Sequence, residues 1–443
     1  MNFKFIVSFI LFSTSYTFAQ TKQILIENVR ILDHKSASLT TPMNVLISDQ
    51  KIEKISSTSI STKNQDVVKI NGKGKTLMPG LIDVHVHMVF GALTMQQMMS
   101  ADMTEEMLMS KVAEGSQKML MRGFTSVRDA GGPIFPLKMA IDKEKVVGPR
   151  IWPSGATISQ TAGHGDFRTP DERSRRFFGK PSRAELLGAT FIADGRDEVL
   201  TATRENLRFG ASQIKLMAGG GTSSAYDPID VTQYTFDEMK AAVDAAEDWG
   251  TYVMVHAYTP RAVQRAVEAG VKSIEHGQML DEETLKILAN KGVWLSLQNL
   301  MDNNDNMDAQ RKEKRKPVLD GQDKVWPLAK KLGVKLAWGT DFLFEPELND
   351  EQNSYILRLQ KWFTNAEILK MITQDNGELL QLSGLRSPYP GKLGVVEEQA
   401  LADLLLVDGN PLKDLSIITN PEKNFLVIIK DGRIYKNTMK TNK

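Results

Sequence analysis

No cysteine occurs in the 443 residues of the chain. Disulfides, thiolate metal centres, cysteine nucleophiles and a lipidated cysteine are all excluded. Any metal site must therefore draw on His, Asp, Glu or a modified Lys. An excess of one charge is missing too, since 55 basic residues against 54 acidic ones leave a formal net charge of +1. That balance gives no electrostatic case for a nucleic-acid partner, and no window reads as an RNA- or DNA-binding module. After the N-terminal leader, no apolar run has the length that a membrane span needs. Histidine is scarce as well, with six in all, so where they fall carries information.

What is present at the start is a leader. In "MNFKFIVSFILFSTSYTFAQTK", Lys4 supplies a positive charge, "FIVSFILF" an apolar stretch, and Thr17 to Ala19 a small-residue pattern suited to cleavage. Residues 1–19 are expected to be a signal peptide. The apolar stretch is too short to serve comfortably as a membrane anchor. The mature protein is then expected to be periplasmic or secreted, with no membrane association once the leader is removed.

The remainder, 41% hydrophobic over the whole chain, is long enough for one large domain and a smaller one. Short alternating strands ("ILIENVRILD", "MNVLISDQKIEKIS", "VVKINGKGKTLMPG") precede residue 80, and similar ones ("LADLLLVDGN", "FLVIIKDGRIYKN") follow residue 385. Residues 20–79 and 386–443 are expected to form one small β-sandwich built from both chain ends. Between them, short β-type runs alternate with helical stretches such as "FDEMKAAVDAAEDWG" and "RAVQRAVEAG", each ending at a Gly in the position after the helix. About eight such units predict an α/β architecture, a (β/α)8 TIM-type barrel over residues 80–385. Two charged connections, "SRRFFGKPSRAELLGATF" and "DNNDNMDAQRKEKRKPVLDG", read as long loops, the second mostly a solvated surface. The Met-rich stretch from Met95 to Met121 reads as adaptable helix packing.

The apolar run "LIDVHVHMVF" places His85 and His87 two residues apart. Residues i and i+2 of a strand leave the same face, so both imidazoles can reach one ion. The plain alternative is a pair of satisfied core histidines. Lys215, His256, His276 and Asp341 lie at the ends of other apolar runs, where a barrel would gather them over its mouth. Asp341 after "GT" also suits a helix N-cap. Arg128 and Asp129, in "SVRDAGG", end another strand and are expected to pair with each other.

This order of residues resembles the amidohydrolase superfamily, with HxH on the first barrel strand, Lys on the fourth, His on the fifth and sixth, and Asp on the eighth. The likeness covers nearly all of the chain after the leader. The stretches "TAGHGD", "ADGRDEV", "IKLMAGGG", "HAYT", "SIEHG" and "WGTD" are similar to the imidazolonepropionase-like branch. Within it they look like the secreted Xaa-Pro and Xaa-Arg dipeptidases and related C-terminal amide hydrolases. The resemblance implies two divalent ions, most simply Zn, with Lys215 carboxylated by CO2. The carbamate oxygens would span ions about 3.5–4 Å apart. One ion would take His85, His87, the carbamate and Asp341; the other would take the carbamate, His256 and His276. A metal-bridging hydroxide would attack, and Asp341 would carry the proton to the leaving nitrogen. His164, flanked by glycines, and Tyr258, two residues past His256, would bind the substrate.

The implied function is hydrolysis of an amide C–N bond next to a free carboxylate, as in a dipeptidase or a carboxypeptidase-like amidohydrolase. The alternatives are a cyclic-amide hydrolase, a deaminase of the imidazolonepropionase-like type, or a protein that binds metal or peptide without turnover. A small-molecule or dipeptide substrate is the expected partner, and homo-oligomerisation is compatible with the sequence.

Overall fold

The computed structural model describes residues 23–62, 67–100, 102–224, 226–303 and 307–439. The expected leader, residues 1–19, lies outside the described residues. Eight parallel strand positions make the central barrel: β1 (Leu81–Val86), β2 (Phe124–Asp129), β3 (Arg150–Pro153, resumed as Thr157–Ser159), β4 (Ile214–Met217), β5 (Val253–Ala257), β6 (Ser273–His276), β7 (Trp294–Leu297) and β8 (Lys335–Trp338). The strands pair in chain order, β1 to β2 to β3 and β3 through to β8. Most are buried along their whole length, which is why they read as near-continuous apolar runs instead of alternating ones.

At the break in β3, Asn206 takes over the ladder: its side chain accepts from Ala156 N (3.1 Å) and donates to Ala156 O (2.8 Å). The barrel closes between β8 and β1. Asp341 N donates to His85 O at 2.8 Å, and Thr340 donates to both oxygens of Asp83. Gly339 makes that approach feasible, because a Cβ there would lie 2.4 Å from the His85 nitrogen.

Helices pack around the barrel as the periodicity predicts. Phe236–Asp248 starts with a capping box between Thr235 and Glu238, and Pro260–Ala269 ends at Gly270 with φ +107°. The Met-rich stretch forms helices Met95–Met99 and Glu105–Met121. The second charged connection departs from expectation. From Ala309 to Lys331 it is one helix, capped by Asp308, with Arg315, Val318, Val325 and Trp326 on its buried side. Its first buried apolar residue, Val318, comes about two and a half turns after the helix starts, so the charged first turns hid it. The first connection holds two one-turn helices and then the strand Thr190–Ile192, which pairs with Thr157–Ser159 at the barrel edge.

Both chain ends contribute to one nine-stranded network. Its junction is the antiparallel pair Thr76–Pro79 with Leu404–Val407, and Thr76–Pro79 leads directly into β1. No helix among the described residues is long and apolar enough to cross a membrane.

Candidate active site

The predicted residues meet over the C-terminal ends of the strands, where a parallel barrel gathers its polar side chains. His85, near the end of β1, lies with its Nε2 3.3 Å from Lys215 Nζ on β4 and 3.3 Å from Asp341 Oδ1 just past β8. His87 Nε2 is 3.2 Å from the same Asp341 oxygen, and His276 Nδ1 is 4.0 Å from the other. His85, His276 and Asp341 offer ligand atoms that all lie within 4.8 Å of one another. His256, on β5, packs edge-on to His276 with ring centroids 4.4 Å apart.

Three of these imidazoles are held through one ring nitrogen, which leaves the other for a ligand. His85 Nδ1 points to Glu275 Oε2 (2.7 Å), His87 Nδ1 to Gly131 O (2.9 Å) and His256 Nε2 to Gly220 O (2.9 Å). A nitrogen that donates its proton this way leaves the other as a lone pair, the state in which imidazole ligates metals. Burial keeps His87, His256 and His276 below the ordinary histidine range, so they stay neutral.

Lys215 is 1% exposed, and among the described residues no carboxylate lies within 4 Å of its amine. Burial pulls this amine down to about 8, against the raising influence of Glu275 and Asp341. A buried lysine without an acid partner is poorly placed as a cation but well placed as a neutral amine open to CO2. Burial would raise the Asp341 carboxyl. The imidazoles of His85, His87 and His276 outweigh it and hold the group well below the usual carboxylate range. The donor set, four imidazoles, a carboxylate and a convertible lysine around one space, fits divalent ions.

The backbone is strained here. His276 and Asp341 sit at φ +80° and +58°, and Phe344 at +57°. Such conformations cost roughly 1–3 kcal/mol each and persist where the surroundings over-determine them. Asp341 N is held by His85 O, and the next helical turn starts only at Pro346, with Glu345 in the cap position, so Asp341 is no helix cap. Phe344 N donates to Phe90 O at 2.9 Å.

Beneath the site lies a layer that the sequence reading missed. Arg128 and Asp129 do not pair with each other, because adjacent residues on a strand face opposite sides. Arg128 enters the barrel and donates to Glu275 Oε1 at 2.7 Å, while Glu275 Oε2 holds His85. Asp129 accepts from Met88 N and Gly131 N, bracing the carbonyl that orients His87. Glu275 sits one residue before His276 in "SIEHG", yet nothing in that string marks its direction.

The cavity above these residues has a volume of about 300 Å³. Its lining includes the polar groups of His164, Thr222, Ser223, Ser224 and Tyr258 and the apolar groups of Phe90, Met95, Phe167, Pro170, Leu343 and Phe344. His164 stacks on His256 at 4.0 Å, and its Nδ1 is 2.8 Å from Ser224 Oγ. Buried Asp227 lies 3.7 Å from the same nitrogen and accepts from Gly221 N and Gln233 Nε2. Burial lowers His164 to about 4 and pushes the Tyr258 phenol upward, so both are neutral at pH 7 and the phenol remains a donor. From the unforeseen helix, Lys314 donates to Ser224 O and Asp227 O at 2.8 and 2.6 Å, tying that helix to the polar wall.

Residues 76–435 match the amidohydrolase family. The ochratoxinase of Aspergillus niger is 31% identical over 376 residues, 81% of this chain and 75% of that protein. A prolidase solved with N-methylphosphonate-L-proline is 32% identical, covers 94% of this chain and all of its own, and superposes with a TM-score of 0.85. A Xaa-Pro dipeptidase with bound methionine covers the same shares at 29% identity and a TM-score of 0.79.

Proposed function

The chain belongs to the amidohydrolase family and is a hydrolase of carbon–nitrogen bonds; from that premise we propose that it cleaves an amide next to a free carboxylate, as in a dipeptide. The observation that carries this reading is the convergence of four imidazoles, Lys215 and Asp341 beside a wall of neutral hydrogen-bonding groups. His85, His87, Asp341 and the Lys215 carbamate would hold one divalent ion. The same carbamate with His256 and His276 would hold a second, with Zn the best match to nitrogen and carboxylate donors. Bound ions supply polarisation of the scissile carbonyl and a water that ionises near neutral pH.

The chain's own groups then have defined tasks. Glu275 and Gly131 O fix the rings of His85 and His87. Asp341, ionised, takes the proton of the attacking water and returns it to the leaving nitrogen. Water adds across the C–N bond, giving a carboxylic acid and an amine. His164 and the Tyr258 phenol donate to the substrate's carboxylate and carbonyl. We also propose a periplasmic or secreted location for this activity, in keeping with the leader expected at residues 1–19.

The test is metal analysis with a screen of dipeptides, N-acyl amino acids and cyclic amides on the zinc-loaded protein. About two ions per chain are expected, together with turnover of carboxylate-bearing amides. Asp341→Asn should cut kcat by ~10²- to 10⁴-fold, the usual worth of a general acid–base, while metal remains. Lys215→Ala should lose the second ion and regain part of its rate with acetate. Two ions and full rate in Lys215→Ala would defeat the bridging role, and turnover of cyclic amides alone would defeat the substrate class.

A further inference from the structure

We propose that the substrate is an N-acylated amino acid with a bulky apolar acyl group, and that Phe90, Phe167 and Phe344 form the subsite that receives this group. The inference rests on the amide-hydrolase reading above and adds what lies on the other side of the scissile bond from the carboxylate.

The polar and aromatic groups flank different histidines: His164 and Tyr258 pack against His256, whereas Phe90 packs against His87. With the carboxylate on His164, Ser224 and Tyr258, the acyl group is directed toward the rings beside His87. There the Phe90 ring lies flat near His87 at 5.7 Å, with Phe344 and Phe167 5.5 and 6.3 Å from it. Three aromatic rings so placed offer an apolar, planar-tolerant slot directly beside the proposed ligands.

Charge separates an acyl group from a free amino terminus. Among the described residues only two carboxylates line the cavity, Asp166 and Asp341. Both oxygens of Asp166 are taken by the Arg168 guanidinium, at 2.7 and 2.5 Å, and Asp341 faces the histidines. The α-ammonium of a dipeptide would find no free anion among these lining groups, a cost that a neutral acyl group does not meet.

The cavity also continues outward. A second concavity of about 440 Å³ shares Asp166, Arg168, Thr169, Pro170 and Tyr226 with the first and ends at Phe177 and Phe178, which are 80% and 55% exposed. An acyl chain longer than the aromatic slot would run along it and cover these two rings. The reaction itself is unchanged: the acyl C–N bond breaks, the acyl carbon gains the hydroxyl and the amino nitrogen gains the proton.

The decisive comparison uses the zinc-loaded protein with N-(3-phenylpropionyl)-alanine and Phe-Ala, which differ only by the ammonium group, alongside N-acetyl- and N-octanoyl-alanine. The phenylpropionyl and octanoyl compounds should exceed both N-acetyl-alanine and Phe-Ala in kcat/KM by about ten- to a hundredfold, the worth of burying one aromatic or aliphatic group. Phe344→Ala and Phe167→Ala, made separately in case one does not fold, should each shrink the phenylpropionyl-to-acetyl ratio about tenfold. Phe177→Ser with Phe178→Ser should lower the rate on octanoyl-alanine more than on phenylpropionyl-alanine. Calorimetry gives a readout without turnover: 3-phenylpropionate should bind tighter than acetate, and Phe344→Ala should narrow that gap. Equal rates on Phe-Ala and its desamino analogue, or equal binding of the two acids, would overturn the proposal. If no amide in the series is cleaved, the amide-hydrolase reading fails, and the binding comparison still decides the subsite.

Discussion

At the C-terminal end of the barrel, Arg128 on β2 is fully buried against Glu275, whose other oxygen holds His85. At the opposite end, Arg150 opens β3, and its guanidinium is gripped by Asp403 (2.9 and 3.2 Å) and Asp431 (2.7 Å) from the C-terminal strands. The chemistry of the two clusters is alike, a desolvated guanidinium with carboxylates, on neighbouring strands. Their positions along the strands set their roles: one aims a metal-site imidazole, the other fastens the terminal sheet to the barrel. In a parallel barrel, the same buried ion pair serves chemistry at one end and assembly at the other.

The sharpest way to break this contrast is Glu275→Gln. It should weaken metal affinity and turnover by about 10–100-fold, the usual cost of losing a group that orients a ligand. It should also destabilise the fold by roughly 3–5 kcal/mol, because Arg128 is left buried and unpaired. Adding Arg128→Met should restore stability but not turnover; recovery of both would mean that Glu275 is only a counter-ion. Asp403→Asn should come next. With Asp431 still pairing Arg150, the loss should be somewhat under the same roughly 3–5 kcal/mol, read by urea denaturation, with kcat of the folded protein unchanged. A drop in kcat would erase the distinction between the two ends.

At the active end, His164→Ala and Tyr258→Phe should each cost roughly 1.5–3 kcal/mol, or one to two decades in kcat/KM, by losing a donor to a charged group. Both should retain their metal, and both should discriminate less between free-acid substrates and their C-terminal amides. An unchanged acid-to-amide preference in both variants would remove them from substrate binding.

The smallest effect belongs to the assembly end. His34 Nε2 lies 2.9 Å from Thr373 Oγ1, whose own proton goes to Leu369 O, so the imidazole is the donor and is neutral. Burial, aided by Lys370, lowers it to about 4. Between about 4 and the ordinary value near 6.5, the unfolded chain therefore binds more protons than the folded one. Stability should rise with pH through that window and level off above it. His34→Gln should flatten this slope in melting curves recorded from pH 4.5 to 7, without altering metal content.

The barrel and the six proposed ligands were legible because each rests on a local signal: an i, i+2 pair, or a polar residue closing a short apolar run. The terminal strands were legible from alternation and turn residues, down to their sharing one network. The layer below was not. Glu275 and Arg128 are 147 positions apart, and their meeting depends on which strand faces which across the barrel, a fact that no window contains. Helix Ala309–Lys331 was hidden by its composition, since a helix whose first turns are mostly charged looks like a solvated loop until its apolar side appears at Val318. The aromatic wall was hidden by distribution, its members coming from the loops after β1, β3 and β8.

The seam between β8 and β1 bears on how the molecule is made. Thr340 and Asp83 are 257 residues apart in the chain, and contacts of such separation form slowly because a large loop must close first. The first histidine pair thus leaves the ribosome long before the carboxylate that must face it. Until the last barrel strand docks against the first, no arrangement of the chain offers the whole ligand set. Metal uptake should therefore lag behind the burial of the tryptophans in β3 and β7, and it becomes a clock for the final closure of the ring.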